Sequence, residues 1–185
     1  MKKQDNKELI GNKLMLRKFK ISDAKDMYDN WANDEYVTKY LTWKPHKDIE
    51  ESRRIISSWI KNYSKEDFYQ WAICKLNDEN IGSITLMDVD VSKKSAFVGY
   101  CIGRKYWNKG YTSEALELII KYAFEEAGFR TIYAKHDVRN INSGRVMKSA
   151  GMKYFKSQTN YSNNTKINTE NYYKISSKDY IKIFD

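Results

Sequence analysis

The sequence predicts a single α/β (α+β) domain over residues 1–185, built on a mixed, mostly antiparallel sheet of about seven strands flanked by helices. The chain is long enough for one sizeable core, and no composition break divides it. Three strand-like runs follow one another through short turns between residues 68 and 102, as in an antiparallel meander. A helical run then separates this meander from a further strand, and such a crossover typically joins parallel strands.

The first third of the chain is predicted to contain one strand and two helices. Lys13–Phe19 alternates like a strand, and Ser22 is the expected cap of a helix that runs to about Trp31. The segment Asn33–Pro45 is irregular but aromatic, which suits either a packed loop on the substrate side or a core lid without a ligand role. Apolar residues at helical spacing predict a helix over Asp48–Tyr63.

The middle of the chain supplies the meander and the crossover. Strands are expected at Phe68–Leu76, Ile81–Val89 and Phe97–Ile102. An amphipathic helix follows over Thr112–Ala127, and the strand Thr131–His136 after it should run parallel to the one before it.

The last third is predicted to hold a helix, two strands and an ill-defined C-terminal turn or short helix. The helix runs from about Ser143 to Ala150. The strands, Lys153–Gln158 and Glu170–Ile175, are joined by a loop rich in Asn, Ser and Thr.

Composition and cysteine usage exclude several classes of protein. Hydrophobic residues make up 41% of the chain, with five Trp, fifteen Tyr and seven Phe, which argues against disorder. The basic N-terminus is followed by no apolar run, so we expect neither a cleavable signal peptide nor a membrane span. Cys74 and Cys101 lie in apolar runs without metal-ligand spacing. We therefore expect two reduced core thiols, no metal and a cytoplasmic location.

The net charge of +9 is concentrated in two segments. Residues 1–20 hold seven Lys and Arg against two acids, and we expect a flexible basic arm over residues 1–12 or a solvated strand edge. Residues 128–156 hold seven against one, a surface that suits phosphates. No basic helix interleaved with aromatics accompanies this charge, so we expect no nucleic-acid partner.

The loop before the helix at 112–127 has the composition of an anion site. The first N–H groups of a helix have no intrahelical partner and carry the positive end of its dipole. Gly110 lets the backbone approach an oxygen closely, and Arg104 and Lys109 add charge. For the loop alone, a plain strand-to-helix turn is the simpler explanation. Whether the loop binds an anion must therefore be judged from the motifs around it.

The same loop resembles that of the RimJ/RimL-like branch of the GNAT superfamily of acyl-CoA N-acyltransferases. That branch typically reads Tyr-Trp-Gly-Lys-Gly-Tyr-Ala-Thr-Glu-Ala, and the matching residues are Tyr106, Trp107, Lys109, Gly110, Tyr111, Glu114 and Ala115. Only Gly110 matches the superfamily's general form, Gln/Arg-x-x-Gly-x-Gly/Ala.

A second motif lies downstream in the order that the same branch has. Asn140-x-x-Ser143-x-Arg145-Val146, closed by Gly151-Met152, is similar to the branch's Asn-x-x-Ser-x-Arg-Val-Leu-x-x-x-Gly-Phe. Two motifs in order make the resemblance specific, and it extends from about residue 13 to residue 180.

The resemblance implies acetyl-CoA as co-substrate and a fold in which the strands 97–102 and 131–136 splay apart. The pantetheine arm would lie in the gap, Asn140 would hydrogen-bond it, and Ser143 would serve the leaving thiolate as partner or acid. Helix capping is the alternative role for both side chains. The residues implied for the cofactor are Cys101, Ile102, Arg104, Trp107, Asn108, Lys109, Gly110, Tyr111, Thr112, Ser113, Asn140, Ser143, Arg145 and Lys148.

The chain departs from the family at two catalytic positions. Many members have a Tyr acid where this chain has Met147, and the branch often has a Glu where this chain has Phe97. Asp88 is the candidate replacement base, with Asp90 and His136 as alternatives. An amine that is deprotonated in solution would need no dedicated base.

The leading hypothesis is direct acetyl transfer from acetyl-CoA to a primary amine, such as a protein N-terminal α-amine, by a monomer or homodimer. A small amine, antibiotic or polyamine is an alternative acceptor, and acidic residues on the acceptor side would favour it. A catalytically silent acyl-CoA-binding protein is the alternative outside enzymes, and a basic nucleic-acid-binding protein comes last.

Overall fold

The structure, a computed structural model, describes residues 6–162 and 165–184. Its strands are β1 (Leu9–Ile10), β2 (Leu14–Arg17), β3 (Tyr69–Lys75), β4 (Asn80–Asp90), β5 (Ser95–Ile102), β6 (Thr131–Asp137), β7 (Lys153–Ser162) and β8 (Thr165–Ser176). They form one sheet in the order β1-β2-β3-β4-β5-β6-β8-β7. All neighbouring strands are antiparallel except β5 and β6, which are parallel as the crossover predicts. The mixed α/β fold is therefore confirmed.

Of the two expectations for this segment, a flexible arm over residues 1–12 or a solvated strand edge, β1 agrees with the strand edge. It pairs antiparallel with β2 at the edge of the sheet. Asn6 is buried, and its amide donates to the carbonyl of Phe68 at 2.9 Å. Residues 6–12 thus belong to the folded domain, and residues 1–5 lie outside the described part of the chain.

The helices are α1 (Ala24–Met27), α2 (Glu35–Thr38), α3 (Ile49–Asn62), α4 (Tyr111–Glu125), α5 (Ile141–Ser149) and α6 (Ser177–Phe184). Short 3-10 turns precede α1 (Ile21–Asp23) and α4 (Arg104–Tyr106), and a π-helical turn follows α1 (Tyr28–Ala32). In the described part of the chain, none of these helices has both the length and the apolar character needed to span a bilayer.

The capping role predicted for Ser22 is wrong, because the first helical turn begins at Ile21 and its N-cap is Lys20. The carboxylate of Asp23 accepts a hydrogen bond from the backbone N–H of Lys20 at 2.7 Å. The same carboxylate is held by two hydrogen bonds of 2.8 Å from the buried guanidinium of Arg17. This ion pair holds Asp23 at the third position of the first helical turn, which begins two residues earlier than a cap at Ser22 predicts.

Two hydrophobic clusters pack on opposite faces of the sheet. Successive residues of β3 divide between them, since side chains alternate along a strand. Trp71 and Ile73 belong to the cluster under α4, and Ala72 and Cys74 belong to the cluster under α1 and α3. The rings of Trp71 and Tyr122 meet edge to face at 5.3 Å, which holds α4 against the sheet.

The parallel strands β5 and β6 diverge after a short stretch of pairing. They are paired only from Ser95 opposite Thr131 to Phe97 opposite Tyr133, and each continues without pairing to the other. One edge of β5 is left open, and α4 and α5 both begin shortly after the diverging strands end. The splay implied by the family resemblance is confirmed.

The segment between residues 158 and 170 is not the loop that its composition predicts. Here β7 and β8 continue as a hairpin, and residues 163–164 lie outside the described part. Polar side chains pair across the strands, Thr159 with Thr169 at 3.0 Å and Asn160 with Asn168 at 2.9 Å. Such cross-strand pairs stabilise residues that are poor strand formers in isolation.

Candidate active site

A cleft of about 690 Å³ opens where β5 and β6 diverge. Its walls are the end of β5 with the loop into α4, the turn and helix after β6, and the segment around α2. Ten of the fourteen predicted cofactor residues line it: Cys101, Ile102, Trp107, Asn108, Gly110, Thr112, Ser113, Asn140, Ser143 and Arg145. Tertiary structure therefore brings both motifs to one site.

The first turn of α4 forms an anion-binding concavity. Gly110 is the N-cap at φ +82° and Asn108 lies at φ +58°, both in the left-handed region. Left-handed residues among right-handed ones direct successive N–H groups into a concavity that binds anions. No side chain caps this helix, so its first N–H groups stay available for a ligand. These residues fit the phosphates of coenzyme A.

The loop before α4 is fastened to the end of β5 by Trp107. Its indole N–H donates to the carbonyl of Ile102 at 2.9 Å. Its ring also packs against both hydrophobic clusters. Trp107 therefore positions the anion loop at the open edge of β5.

Three predicted cofactor side chains lie outside the residues that line the cleft. Arg104 pairs with Asp34 at 3.1 Å, and its guanidinium lies over the ring of Tyr36 at 4.5 Å. Tyr111 packs its ring against the core, and Lys148 is exposed on α5. The geometry does not support cofactor contacts by these three side chains.

A fourth predicted residue, Lys109, contributes its backbone to the loop, and another lysine approaches there. The ammonium of Lys13 donates to the carbonyl of Lys109 at 3.3 Å and would lie 3.3 Å from a Cβ added at Gly110. Sequence reasoning missed Lys13, because it is 96 positions from the loop that it contacts.

The start of α5 assigns different roles to its two predicted residues. The carboxamide oxygen of Asn140 accepts from the backbone N–H of Ser143 at 3.4 Å, so Asn140 is the helix cap. Ser143 is half-buried and lines the cleft. The phenol of Tyr100 donates to the carbonyl of Ser143 at 3.1 Å, and burial raises the pKa of this phenol.

The structure places no candidate base in the cleft. Asp88 is exposed, in the irregular stretch where β4 loses its register with β5, so the geometry does not support its predicted role. Asp90 is held by Ser92 and Lys93, which lower its pKa. Asp88 and Asp90 are both absent from the lining of the cleft.

The residue at the family's acid position, Met147, and the alternative base, His136, are both packed inside the domain and do not line the cleft. Met147, at the family's Tyr position, is a core residue that is 2% exposed. His136 is buried, and its Nδ1 lies 2.8 Å from the carbonyl of Asp137. Its Nε2 faces Gly144 of α5, where an added Cβ would come within 2.7 Å.

The cleft is also lined by the aromatic segment around α2. Tyr36 and Tyr40 line this part of the cleft, here called the mouth, together with Arg139 from the turn after β6. Of the two roles left open for Asn33–Pro45, a packed loop on the substrate side agrees with this position. Sequence reasoning missed Arg139, which no local motif marks.

An anion-binding helix start, an open strand edge and a second helix start surround one cleft. This arrangement fits an enzyme that binds a phosphate-bearing ligand in the cleft. The comparisons with known proteins make the class specific. The family profile of the acetyltransferase (GNAT) domain matches residues 13–153, and the chain belongs to this family. The protein is therefore an acetyl-CoA-dependent N-acetyltransferase.

Relatives and solved structures agree with this assignment. The chain is 33% identical over 143 residues to the uncharacterised N-acetyltransferase p20 of Bacillus licheniformis, covering 76% of this chain and 79% of p20. It is 25% identical to a Bacillus subtilis protein provisionally named ribosomal N-acetyltransferase YdaF, over 64% of this chain and 66% of that one. A GNAT-family acetyltransferase structure from Bacillus anthracis superimposes with a TM-score of 0.80 at 24% identity, covering 93% of this chain and 99% of that one.

Proposed function

We propose that the protein transfers the acetyl group of acetyl-CoA directly to the N-terminal α-amine of a peptide or protein. One observation supports direct transfer above all. A single cleft joins the anion-binding start of α4, the open edge of β5 and the mouth lined by Tyr36 and Tyr40. A donor along β5 and an acceptor in the mouth would share one cleft, as direct transfer requires.

The residues of the cleft divide the chemistry among them. Acetyl-CoA, when bound, supplies an acetyl group activated as a thioester. The first N–H groups of α4, with Lys13 and Arg145, hold the phosphates. The open edge of β5 from Tyr100 to Ile102 orients the pantetheine arm, and a backbone N–H there stabilises the developing oxyanion. The hydroxyl of Ser143 donates to the leaving sulfur.

The kind of amine follows from the missing base. No Asp, Glu or His is among the described residues that line the cleft. The acceptor must then lose its proton to solvent, which favours an amine of low pKa. An N-terminal α-amine has a pKa of about 7.7–8.0, whereas that of a lysine is about 10.4, so far more of the α-amine is neutral near pH 7.

The charge of the cleft also argues against polyamines and cationic antibiotics. Such acceptors need carboxylates, and the charged side chains among the described lining residues are Arg139 and Arg145. The provisional name of the relative YdaF, a ribosomal N-acetyltransferase, agrees with a protein acceptor.

A second candidate is a catalytically silent acyl-CoA-binding protein. It is favoured by Met147 at the family's acid position and by the absence of a base among the described lining residues. The two candidates share the cofactor and differ only in turnover.

An acceptor panel with acetyl-CoA tests the proposal. The panel contains peptides with a free α-amine, the same peptides blocked at the α-amine but containing lysine, and spermidine, with thiol release as the readout. We expect turnover with the free α-amines, and acetylation of the peptide N-terminus by mass spectrometry. Faster turnover of spermidine or of the blocked lysine peptides would overturn the acceptor, and calorimetric binding of acetyl-CoA with no turnover would favour the silent candidate.

A further inference from the structure

The guanidinium of Arg139 is held rigidly at the acceptor mouth. The carboxylate of Asp137 accepts hydrogen bonds from the backbone N–H of Arg139 at 2.9 Å, from Nε at 2.8 Å and from Nη2 at 2.6 Å. The Asp137 side chain is 5% exposed, whereas that of Arg139 is 64% exposed. The guanidinium also lies over the ring of Tyr40 at 5.6 Å. Asp137 therefore acts as a buried anchor for an arginine that faces solvent.

The fixed guanidinium keeps one edge available for a ligand. A guanidinium has five N–H donors in a planar fork, and Asp137 uses one on Nε and one on Nη2. Nη1 of Arg139 makes no hydrogen bond to any described residue. The Nη1–Nη2 edge has the spacing that binds a carboxylate through two parallel hydrogen bonds. Because the side chain is already ordered, little further entropy is lost on binding.

The position of Arg139 indicates that the free Nη1–Nη2 edge of its guanidinium faces the acceptor. The ring that it covers, Tyr40, belongs to the segment around α2, which lines the cleft but holds none of the predicted cofactor residues. The same segment is also held by Arg104, stacked on Tyr36 and paired with Asp34. In the described part of the cleft no carboxylate repels an anionic group near Arg139.

We propose that Arg139 binds a carboxylate of the acceptor close to the reacting amine, so that the preferred acceptor is an N-terminus followed within one or two residues by an acidic side chain. This inference rests on the proposed function and narrows its acceptor. The carboxylate of a free amino acid has the same chemistry, and the test separates the two sources.

Matched acceptors and variants test this role. The peptide arm compares Ala-Glu with Ala-Gln, both amidated at the C-terminus, and the amino-acid arm compares alanine with alaninamide. We expect kcat/KM at least tenfold higher for Ala-Glu than for Ala-Gln, and no preference for alanine over its amide. In Arg139→Gln the preference should fall to about one while acetyl-CoA affinity is unchanged. Arg53→Gln removes an arginine paired with Glu50 at 3.1 Å on α3 and should keep the preference.

A binding measurement keeps the outcome independent of turnover. Calorimetry with the protein and CoA, which has no acetyl group to donate, should show tighter binding of Ala-Glu than of Ala-Gln, and Arg139→Gln should abolish the difference. Equal binding of the two peptides, or weaker acetyl-CoA binding by Arg139→Gln, would overturn the role of Arg139. A preference confined to alanine over its amide would overturn the peptide acceptor. Preferential Ala-Glu binding without any turnover would refute the proposed activity and, with it, the acceptor preference, and would leave only the binding of a carboxylate by Arg139.

Discussion

The carboxylate of Glu114 accepts a hydrogen bond from the backbone N–H of Lys13 at 3.0 Å, although the two residues are 101 positions apart. The same carboxylate accepts from the N–H of Asn12. The first turn of α4, which holds the anion site, is thereby fastened to the turn between β1 and β2. The ammonium of Lys13 then reaches the carbonyl of Lys109 in the loop. These hydrogen bonds therefore connect the turn at the edge of the sheet directly to the cofactor loop.

Removing this link should weaken both stability and cofactor binding. Glu114→Ala leaves two backbone N–H groups without their acceptor, and we expect a loss of about 1–2 kcal/mol in the free energy of unfolding. Acetyl-CoA affinity should fall several-fold because Lys13 is no longer held at the loop. Urea unfolding and calorimetry measure the two effects. Glu114→Gln keeps an oxygen acceptor and should lose less stability and less affinity than Glu114→Ala. Glu66 is exposed, and Glu66→Ala should change neither the free energy of unfolding nor the acetyl-CoA affinity. A stability loss with unchanged affinity would remove Lys13 from the phosphate site.

Gly110→Val should weaken acetyl-CoA binding at least tenfold, or about 1.4 kcal/mol. A β-branched residue strongly disfavours φ +82°, so the N–H groups of the anion loop would turn away from the phosphates. Gly128→Val is the matched control, because Gly128 has φ +77° beyond the end of α4 and open space around its Cβ position. Both variants should lose stability, but only the first should lose affinity in calorimetry. Equal affinities in the two folded variants would contradict the phosphate site.

Ser143→Ala should lower turnover about 10²-fold with little change in acetyl-CoA affinity. The leaving sulfur needs a hydrogen-bond donor only as the C–S bond breaks. Because the capping oxygen belongs to Asn140, the melting temperature of Ser143→Ala should stay near that of the wild type. Asn140→Ala should instead cost about 0.5–1 kcal/mol of stability. Thiol release and a melting curve measure both variants. An unchanged rate in Ser143→Ala would mean that water protonates the thiolate.

The ion pair of Asp137 and Arg139 should make stability depend on pH in acid. Hydrogen bonds from Arg139 hold the pKa of Asp137 below its ordinary value of about 3.9. A lowered folded-state pKa contributes stability that is fully present above the unfolded pKa and is lost as the pH falls through the folded one. The melting temperature of the wild type should therefore exceed that of Arg139→Gln at pH 7, and the difference should shrink as the pH falls below the ordinary Asp value of about 3.9. Melting curves of both proteins from pH 7 into acid measure this difference in melting temperature. A difference that stays constant with pH would show that Asp137 does not titrate in this range.

Elements with a strong periodic pattern could be predicted from the sequence. The helix expected over Asp48–Tyr63 is observed as Ile49–Asn62, with Asp48 as its cap, and the one expected over Thr112–Ala127 is observed as Tyr111–Glu125. Local spacing of apolar residues determines which face a helix or strand can bury. The family motifs also lie on single continuous segments, and the GNAT membership that they indicate is confirmed.

Local rules failed where a partner distant in the sequence decides the conformation. Ser22 is a good cap by composition, but Arg17 holds the Asp23 carboxylate, which accepts from the N–H of the observed N-cap, Lys20. The polar segment between residues 158 and 170 has the composition of a loop, but each strand of the hairpin supplies hydrogen-bond partners for the other. In both cases the observed conformation is stabilised by a pair of residues, an ion pair or a cross-strand hydrogen bond, that local composition does not predict.

The sequence alone determined the family, the parallel crossover and the segments that supply the cofactor loop and the Asn140/Ser143 turn, because each is encoded in local spacing and in short motifs. Only the tertiary structure decided that Arg139 lines the cleft, that Lys13 reaches the cofactor loop, and that Asp88 does neither. These placements depend on which residues the twist and divergence of the sheet bring together across about a hundred positions of chain. Contacts between residues so distant in the sequence arise only when the whole domain packs, so no local sequence pattern predicts them.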